Sequence, residues 1–196
     1  MRTRNAVKEQ LVKREAMKII VKDGLDRFSV NKLAKQCKIS VATLYIYYKD
    51  KDDLIMKIAR EETERLRDGI LKNFSPELSF RDGMRMQWEN RSGMMLDDLL
   101  AGLFLEALRG SNYSQKVFEE LTHDFKEIMG KFMKNAVARG EVDQLPLEVF
   151  WSVAFAPLYT LVNFHTQGRS IGFKPFVLTD KVLWQTFELV MKALKK

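Results

Sequence analysis

The run SVNKLAKQCKISVATLYIYYKDKDDL, residues 29–54, decides the fold. Ser29 offers the short side-chain oxygen that caps a helix N-terminus, and Ser40 offers another. Each cap opens a brief helical stretch, Val30 to Cys37 and Val41 to Tyr48, and Lys49-Asp50 breaks the second. Two helices of about eight residues joined by a turn at Lys38-Ile39 have the dimensions of a helix-turn-helix. Leu44 and Tyr48, four residues apart, share a face that can pack on Leu33, Ala34 and Ile39. Thr43 and Tyr47 share a different face, which also carries Val41 or Ala42 near the helix N-terminus, the end that enters the major groove in this motif. Val41 and Ala42 suit a thymine methyl, and Thr43 can bond a base or a phosphate. Tyr45 and Tyr47 can each give a hydroxyl to a nucleic-acid backbone, although a half-buried packing role is open to both. Lys51, at the next helix start, brings an ammonium beside exposed peptide N–H groups, a natural phosphate site.

Working outward, Val7, Leu11, Ala16, Ile19 and Ile20 recur at helical spacing, so residues 5–22 read as an amphipathic helix ending at Gly24. A longer helix follows the quoted run, with Leu54, Ile55, Ile58, Leu66 and Ile70 as its apolar stripe to about residue 73. Further helical stretches are expected at residues 78–91, 93–109, 114–139, 146–167 and 177–195. No segment alternates as a strand would, and the fold class expected is all-α. Residues 1–60 hold 15 Lys and Arg against 7 Asp and Glu, a surplus of +8, whereas the remaining 136 residues balance to −1. A compact basic segment beside a neutral one is the electrostatic footprint of a polyanion partner or, equally on charge alone, a solvated face. Arg2 and Arg4 are either a minor-groove arm or a frayed tail.

The single cysteine, Cys37, excludes an intrachain disulfide framework and a four-thiolate zinc site. It reads as a small core residue rather than a redox sensor. The polar N-terminus lacks the apolar core of a signal peptide, and the most apolar stretches, Met94 to Leu108 and Leu147 to Phe164, contain carboxylates. A cytoplasmic protein without a membrane partner is expected.

The ordered composite in residues 29–54 runs from a small polar cap through Leu-Ala, Ile-Ser at the turn and Thr-Leu-Tyr to a further aromatic pair and Lys-x-Lys-x-x-Leu. It resembles the DNA-binding signature of the TetR/AcrR family of transcriptional regulators. The motif covers residues 6 to about 60, and beyond it the likeness is one of length and helical character. The resemblance implies an all-α homodimer with a helix-turn-helix DNA-binding domain at residues 1–50 and a helical ligand-binding and dimerisation domain at residues 51–196. Such a protein binds a palindromic double-stranded DNA operator, usually as a repressor, and a small-molecule effector releases it. DNA contact is implied at Ser40, Val41, Ala42, Thr43, Tyr45, Tyr47 and Lys51, with Val30 and Asn31 reaching adjacent phosphates. Leu33, Ala34, Leu44 and Tyr48 match core positions. The chain departs from the family pattern at Lys38 and Ala42, where glycine is frequent.

In the C-terminal part, flexible methionines and aromatics suit an adaptable apolar pocket. Its expected lining is Met84, Met86, Trp88, Phe104, Phe118, Phe125, Trp151, Phe155 and Tyr159, with ordinary core packing as the alternative for any one of them. The last helices are apolar over more than a stripe, and Leu158, Leu161, Val162, Trp184, Phe187 and Val190 are expected at a dimer interface. The alternative is that helices of the same subunit cover them. Neither phosphate-loop, dinucleotide, nucleophile-elbow nor zinc-protease motifs occur, so no catalytic site, metal or cofactor is expected. The carboxylate pairs Glu61-Glu62, Asp97-Asp98 and Glu119-Glu120 read as solvated helix faces rather than acid/base couples, and His165 as a helix-end residue with a capping or dipole role. Two rival readings stay open: an apolar-ligand carrier with a basic membrane-docking end, and a helical enzyme with an unrecognised site. Both leave residues 29–54 unexplained.

Overall fold

In a computed structural model the backbone is described for residues 2–194 and the side chains for residues 7–115 and 125–194. The chain is all-helical. Its helices are α1 (Arg2–Asp23), α2 (Val30–Gln36), α3 (Val41–Tyr47), α4 (Lys51–Ile70), α5 (Phe80–Asp97), α6 (Leu99–Leu108), α7 (Asn112–Ala138), α8 (Leu147–Ala154), α9 (Ala156–Gln167) and α10 (Asp180–Leu194). A short 3-10 turn, Ile171–Phe173, and an isolated antiparallel bridge, Arg169 to Pro175, sit in the connection before α10. Contacts divide the chain into an N-terminal unit, the residues up to Leu66 with Asp98–Thr122, and a second unit, Arg67–Asp97 with the residues from His123 onward.

The N-terminal unit is built on α1. Of the apolar stripe expected on α1, Ala16, Ile19 and Ile20 are buried, whereas Val7 and Leu11 are exposed and Val12, one position on from Leu11, takes the inward place; α1 packs on α2 and α6. Gly24 closes α1 in the left-handed conformation, φ 85°, with its N–H on the Ile20 carbonyl at 2.9 Å. Leu33 and Ala34 from α2, Leu44 from α3, Leu54, Ile55 and Ile58 from α4, and Phe104, Leu105 and Leu108 from α6 complete one core, which also takes in Cys37 and Tyr48. Two ionic ties hold the helices from outside. Lys13 of α1, itself buried, reaches Glu61 of α4 at 2.6 Å. Asp98 receives Arg14 of α1 at 2.7 Å and Arg65 of α4 at 3.0 Å, and its other oxygen caps α6 through the Ala101 N–H at 3.2 Å. Asp98 is therefore a cap and an ion-pair centre, where its sequence neighbourhood reads as a solvated face. That cap is also why the break after α5 falls at Asp98 and not near residue 92.

The second unit gathers α5, α8, α9, α10 and the C-terminal part of α7 around Phe80, Met84, Trp88, Phe132, Phe150, Phe155, Leu158 and Phe187. Trp88 donates its indole N–H to the Ala154 carbonyl at 2.9 Å and meets the Phe187 ring edge-on at 5.4 Å. The helix expected over residues 146–167 is broken into α8 and α9, bent by 41° at Phe155. Pro157, in the first turn of α9, cannot donate to a preceding carbonyl, and its ring excludes a straight helix through this point. His165 accepts the Leu178 N–H on Nδ1 at 3.2 Å and so ties down the connection before α10. Among the described residues no single helix is long and apolar enough to cross a membrane.

Candidate nucleic-acid interface

Both serines cap as their chemistry requires. Ser29 Oγ accepts the Lys32 N–H at 3.2 Å to open α2, and Ser40 Oγ accepts the Thr43 N–H at 3.1 Å to open α3. Ser40 Oγ also lies 2.8 Å from Thr43 Oγ1, which fixes the threonine side chain at the start of α3. Between the caps, Lys38 adopts the left-handed conformation, φ 53°, where a glycine would sit without strain. Its neighbour Ile39 sends its N–H to the Ala34 carbonyl at 3.0 Å, closing the turn between α2 and α3.

Leu44 and Tyr48 anchor α3 from below, with Val41, Ile39 and Tyr47 partly buried against the same core. Asn31, Ser40, Ala42 and Tyr45 are exposed, Thr43 is half-exposed, and Val30 is half-buried on the core. Ile46 is 76% exposed, more than any other large apolar residue of α3. It belongs to the outward face, since Ala42 and Ile46 are four apart and Ala42 and Tyr45 three apart. Sequence reading passed over Ile46, although the same spacing that puts Leu44 and Tyr48 inside puts Ile46 outside. Ile46 thus adds an apolar side chain to the outward face, of the kind that can meet a thymine methyl.

Lys51 is half-buried, its Nζ 3.3 Å from the Leu25 carbonyl and 5.8 Å from the centre of the Phe28 ring. Lys57 donates to the Tyr47 carbonyl at 3.1 Å, lies over the Tyr48 ring and pairs with Asp53 at 3.0 Å. Lys57 thus braces the C-terminal end of α3, while Lys51 ties the start of α4 to the connection between α1 and α2. Tyr48 keeps its hydroxyl buried without a hydrogen-bond partner, and burial pushes that hydroxyl well above the usual phenol range. Burial likewise pushes the Cys37 thiol up, the reverse of a reactive thiolate. The side chains of Arg2 and Arg4 lie outside the described residues.

The residues foreseen for a ligand pocket do not all meet. Met84, Trp88 and Phe155 are buried in the second unit's core, Met86, Phe125 and Tyr159 are half-buried, and Trp151 is 37% exposed. Phe104 is not with them, because it packs into the core of the N-terminal unit. Phe118, like the Glu119-Glu120 pair, lies outside the described side chains. A half-open cleft of about 580 Å³ does occur in the N-terminal unit, against Leu25, Asp26, Asp52, Met56 and Tyr113, and none of the foreseen pocket residues lines it. Of the residues foreseen at a dimer interface, Leu158, Val162, Phe187 and Val190 are buried by their own subunit, and Leu161 and Trp184 are partly exposed. The exposed apolar side chains on these helices are instead Leu147, Val149, Trp151 and Leu189. Sequence reading also missed Arg91, buried at 4% exposure among aromatic rings.

The family model for bacterial regulatory proteins of the tetR family matches residues 14–58, the stretch from within α1 to within α4. An HTH-type transcriptional regulator of Haemophilus influenzae is 29% identical over 187 residues, 91% of each chain. A fatty acid metabolism regulator protein of Bacillus subtilis is 20% identical over 132 residues, 66% of this chain and 68% of its own. Among solved structures, a TetR family transcription regulator from Marinobacter aquaeolei VT8 superposes with a TM-score of 0.77 at 26% identity, covering all of both chains. The family match falls on the helices whose capped, outward face was built above, and the structural likeness runs the length of the chain, so residues 14–58 form a tetR-type helix-turn-helix segment in a chain similar throughout to TetR family transcriptional regulators.

Proposed function

We propose that this regulator acts as a homodimer on a palindromic double-stranded DNA operator, as a repressor in the cytoplasm, and that a small apolar or amphipathic effector releases it. The observation that carries the reading is α3 itself: a helix capped by Ser40, anchored by Leu44 and Tyr48, and presenting Ala42, Thr43, Tyr45 and Ile46 outward from a basic segment. A short helix held rigidly below and free above is what major-groove entry needs. In this reading residues 1–50 read DNA, with Val41, Ala42 and Thr43 toward base edges and Val30, Asn31, Ser40, Tyr45, Tyr47 and Lys51 toward phosphates. Residues 51–196 hold the effector and the partner subunit. The exposed Leu147, Val149 and Leu189, with the partly exposed Leu161 and Trp184, supply an apolar surface for that partner.

Two α3 helices must stand about 34–36 Å apart to enter successive major grooves on one DNA face. An effector with higher affinity for another spacing depopulates the DNA-competent state in proportion to its differential affinity. Selection of bound sites from a random duplex pool tests the reading. A palindromic consensus with half-sites one helical turn apart is expected, and recovery of sites without twofold symmetry would contradict the dimeric mode.

A further inference from the structure

Arg91 of α5 is 4% exposed, yet no carboxylate among the described residues pairs with it. A guanidinium carries N–H donors on every nitrogen. Here Nε reaches Gln87 Oε1 at 3.2 Å and Nη1 reaches the Tyr159 hydroxyl at 2.7 Å, while Nη2 is buried without a partner. Aromatic rings enclose the group: the Phe155 centre is 4.4 Å from Cζ, that of Trp151 5.2 Å and that of Phe125 5.5 Å. Ring faces attract a cation, but they neither neutralise it nor accept the hydrogen bonds that Nη2 offers. A buried charge in this state is costly unless an anion completes it. Burial also lowers the guanidinium pKa below its ordinary value, against the favourable contact with Tyr159.

We propose that Arg91 is the anion-recognising residue of an effector site in the second unit, its free Nη2 pairing with the carboxylate of a monoanionic amphipathic molecule whose apolar body lies against Phe125, Trp151 and Phe155. The assignment rests on the effector-released reading above and gives that effector a chemical class. A single guanidinium set among neutral groups and rings matches one negative charge, and a phosphate dianion would require a second cation. Tyr159 accepts from Nη1 and keeps its own proton to donate to the second carboxylate oxygen. Trp151, 37% exposed, and the half-buried Phe125 and Tyr159 form the rim nearest solvent.

The full-length chain is titrated with decanoate, 2-naphthoate and the methyl ester of each, followed by tryptophan fluorescence and by the shift in Tm. At least one acid is expected to bind saturably and about tenfold or more tightly than its ester, and Arg91→Met to remove that preference. Ligand-free Arg91→Met is expected to melt higher than wild type, because a buried unpaired charge has been replaced by an apolar side chain of similar length. Equal affinity for acid and ester, or no binding of either acid, overturns the assignment on the wild-type chain alone, whatever the variant does. An Arg91→Met protein that folds and still prefers the acid overturns it too. Binding of the chain to its selected duplex is measured in parallel. If that binding is sequence-specific while the acids fail, the regulator reading stands and this one falls.

Discussion

Lys38 turns the chain between α2 and α3 at φ 53°, a conformation that costs an L-residue about 1–2 kcal/mol. Glycine removes that strain but adds about 0.5–1 kcal/mol of unfolded-state entropy. Lys38→Gly should therefore raise stability modestly, by about 0.5 kcal/mol, in urea unfolding monitored by circular dichroism. A loss would mean that the lysine side chain supports the turn. Tyr48 poses the opposite case, since its buried hydroxyl has no partner. Tyr48→Phe keeps the ring in the core, deletes the unsatisfied group and should stabilise by about 1 kcal/mol, with operator affinity unchanged. A drop in Tm would show that the hydroxyl is solvated after all. On DNA, Thr43→Ala and Ile46→Ala should change which sequences are preferred, whereas Lys51→Ala should weaken binding to every duplex and lower the salt slope by about one. Equal losses on all sequences for all three variants would contradict this division between base edges and phosphates.

At the scale of elements, Asp98 joins three helices: it caps α6 and receives Arg14 from α1 and Arg65 from α4. Partial burial acts to raise its carboxyl pKa, but the Ala101 N–H and the two guanidinium charges outweigh burial and hold it below the ordinary value. A folded-state pKa below the unfolded value, about 3.9, places the stabilisation above that pH and removes it as pH falls through the folded value. Asp98→Ala should cost about 1–2 kcal/mol at neutral pH, mostly the cap, because both arginines are nearly half exposed and their pairs are screened. Asp98→Asn keeps a capping oxygen and should cost less than half as much. The gap between wild type and Asp98→Ala, followed by chemical unfolding from pH 7 to pH 3, should narrow at the acid end. A gap independent of pH would assign the effect to the cap alone. The caps at Ser29 and Ser40 were legible in sequence because capping is local, one oxygen and one N–H a few residues on. The role of Asp98 was not, because Arg14 lies 84 residues away and nothing local marks it. The break at Phe155 had a signal in Pro157, masked by an apolar run continuous through it.

For the whole molecule, the all-helical class and the recognition unit follow from periodicity, charge and capping within a short stretch, and the structure bears out that class and the inward set Leu33, Ala34, Leu44 and Tyr48. The C-terminal helices were less legible for a physical reason. A helix apolar most of the way round has the same sequence whether its own subunit or a partner covers it. Leu158, Val162, Phe187 and Val190 prove to be covered from within. Arg91 was invisible for the converse reason, since an arginine in a polar helix reads as solvated until neighbours distant in sequence enclose it. The central claim is that α3 reads base sequence. It is tested most directly by the ratio of dissociation constants of the purified chain for a scrambled duplex and for the selected palindrome of equal length and composition, at about 150 mM salt. The expected ratio is about 1,000 or more. A ratio near one would contradict the claim and leave only the charge of the N-terminal segment holding DNA.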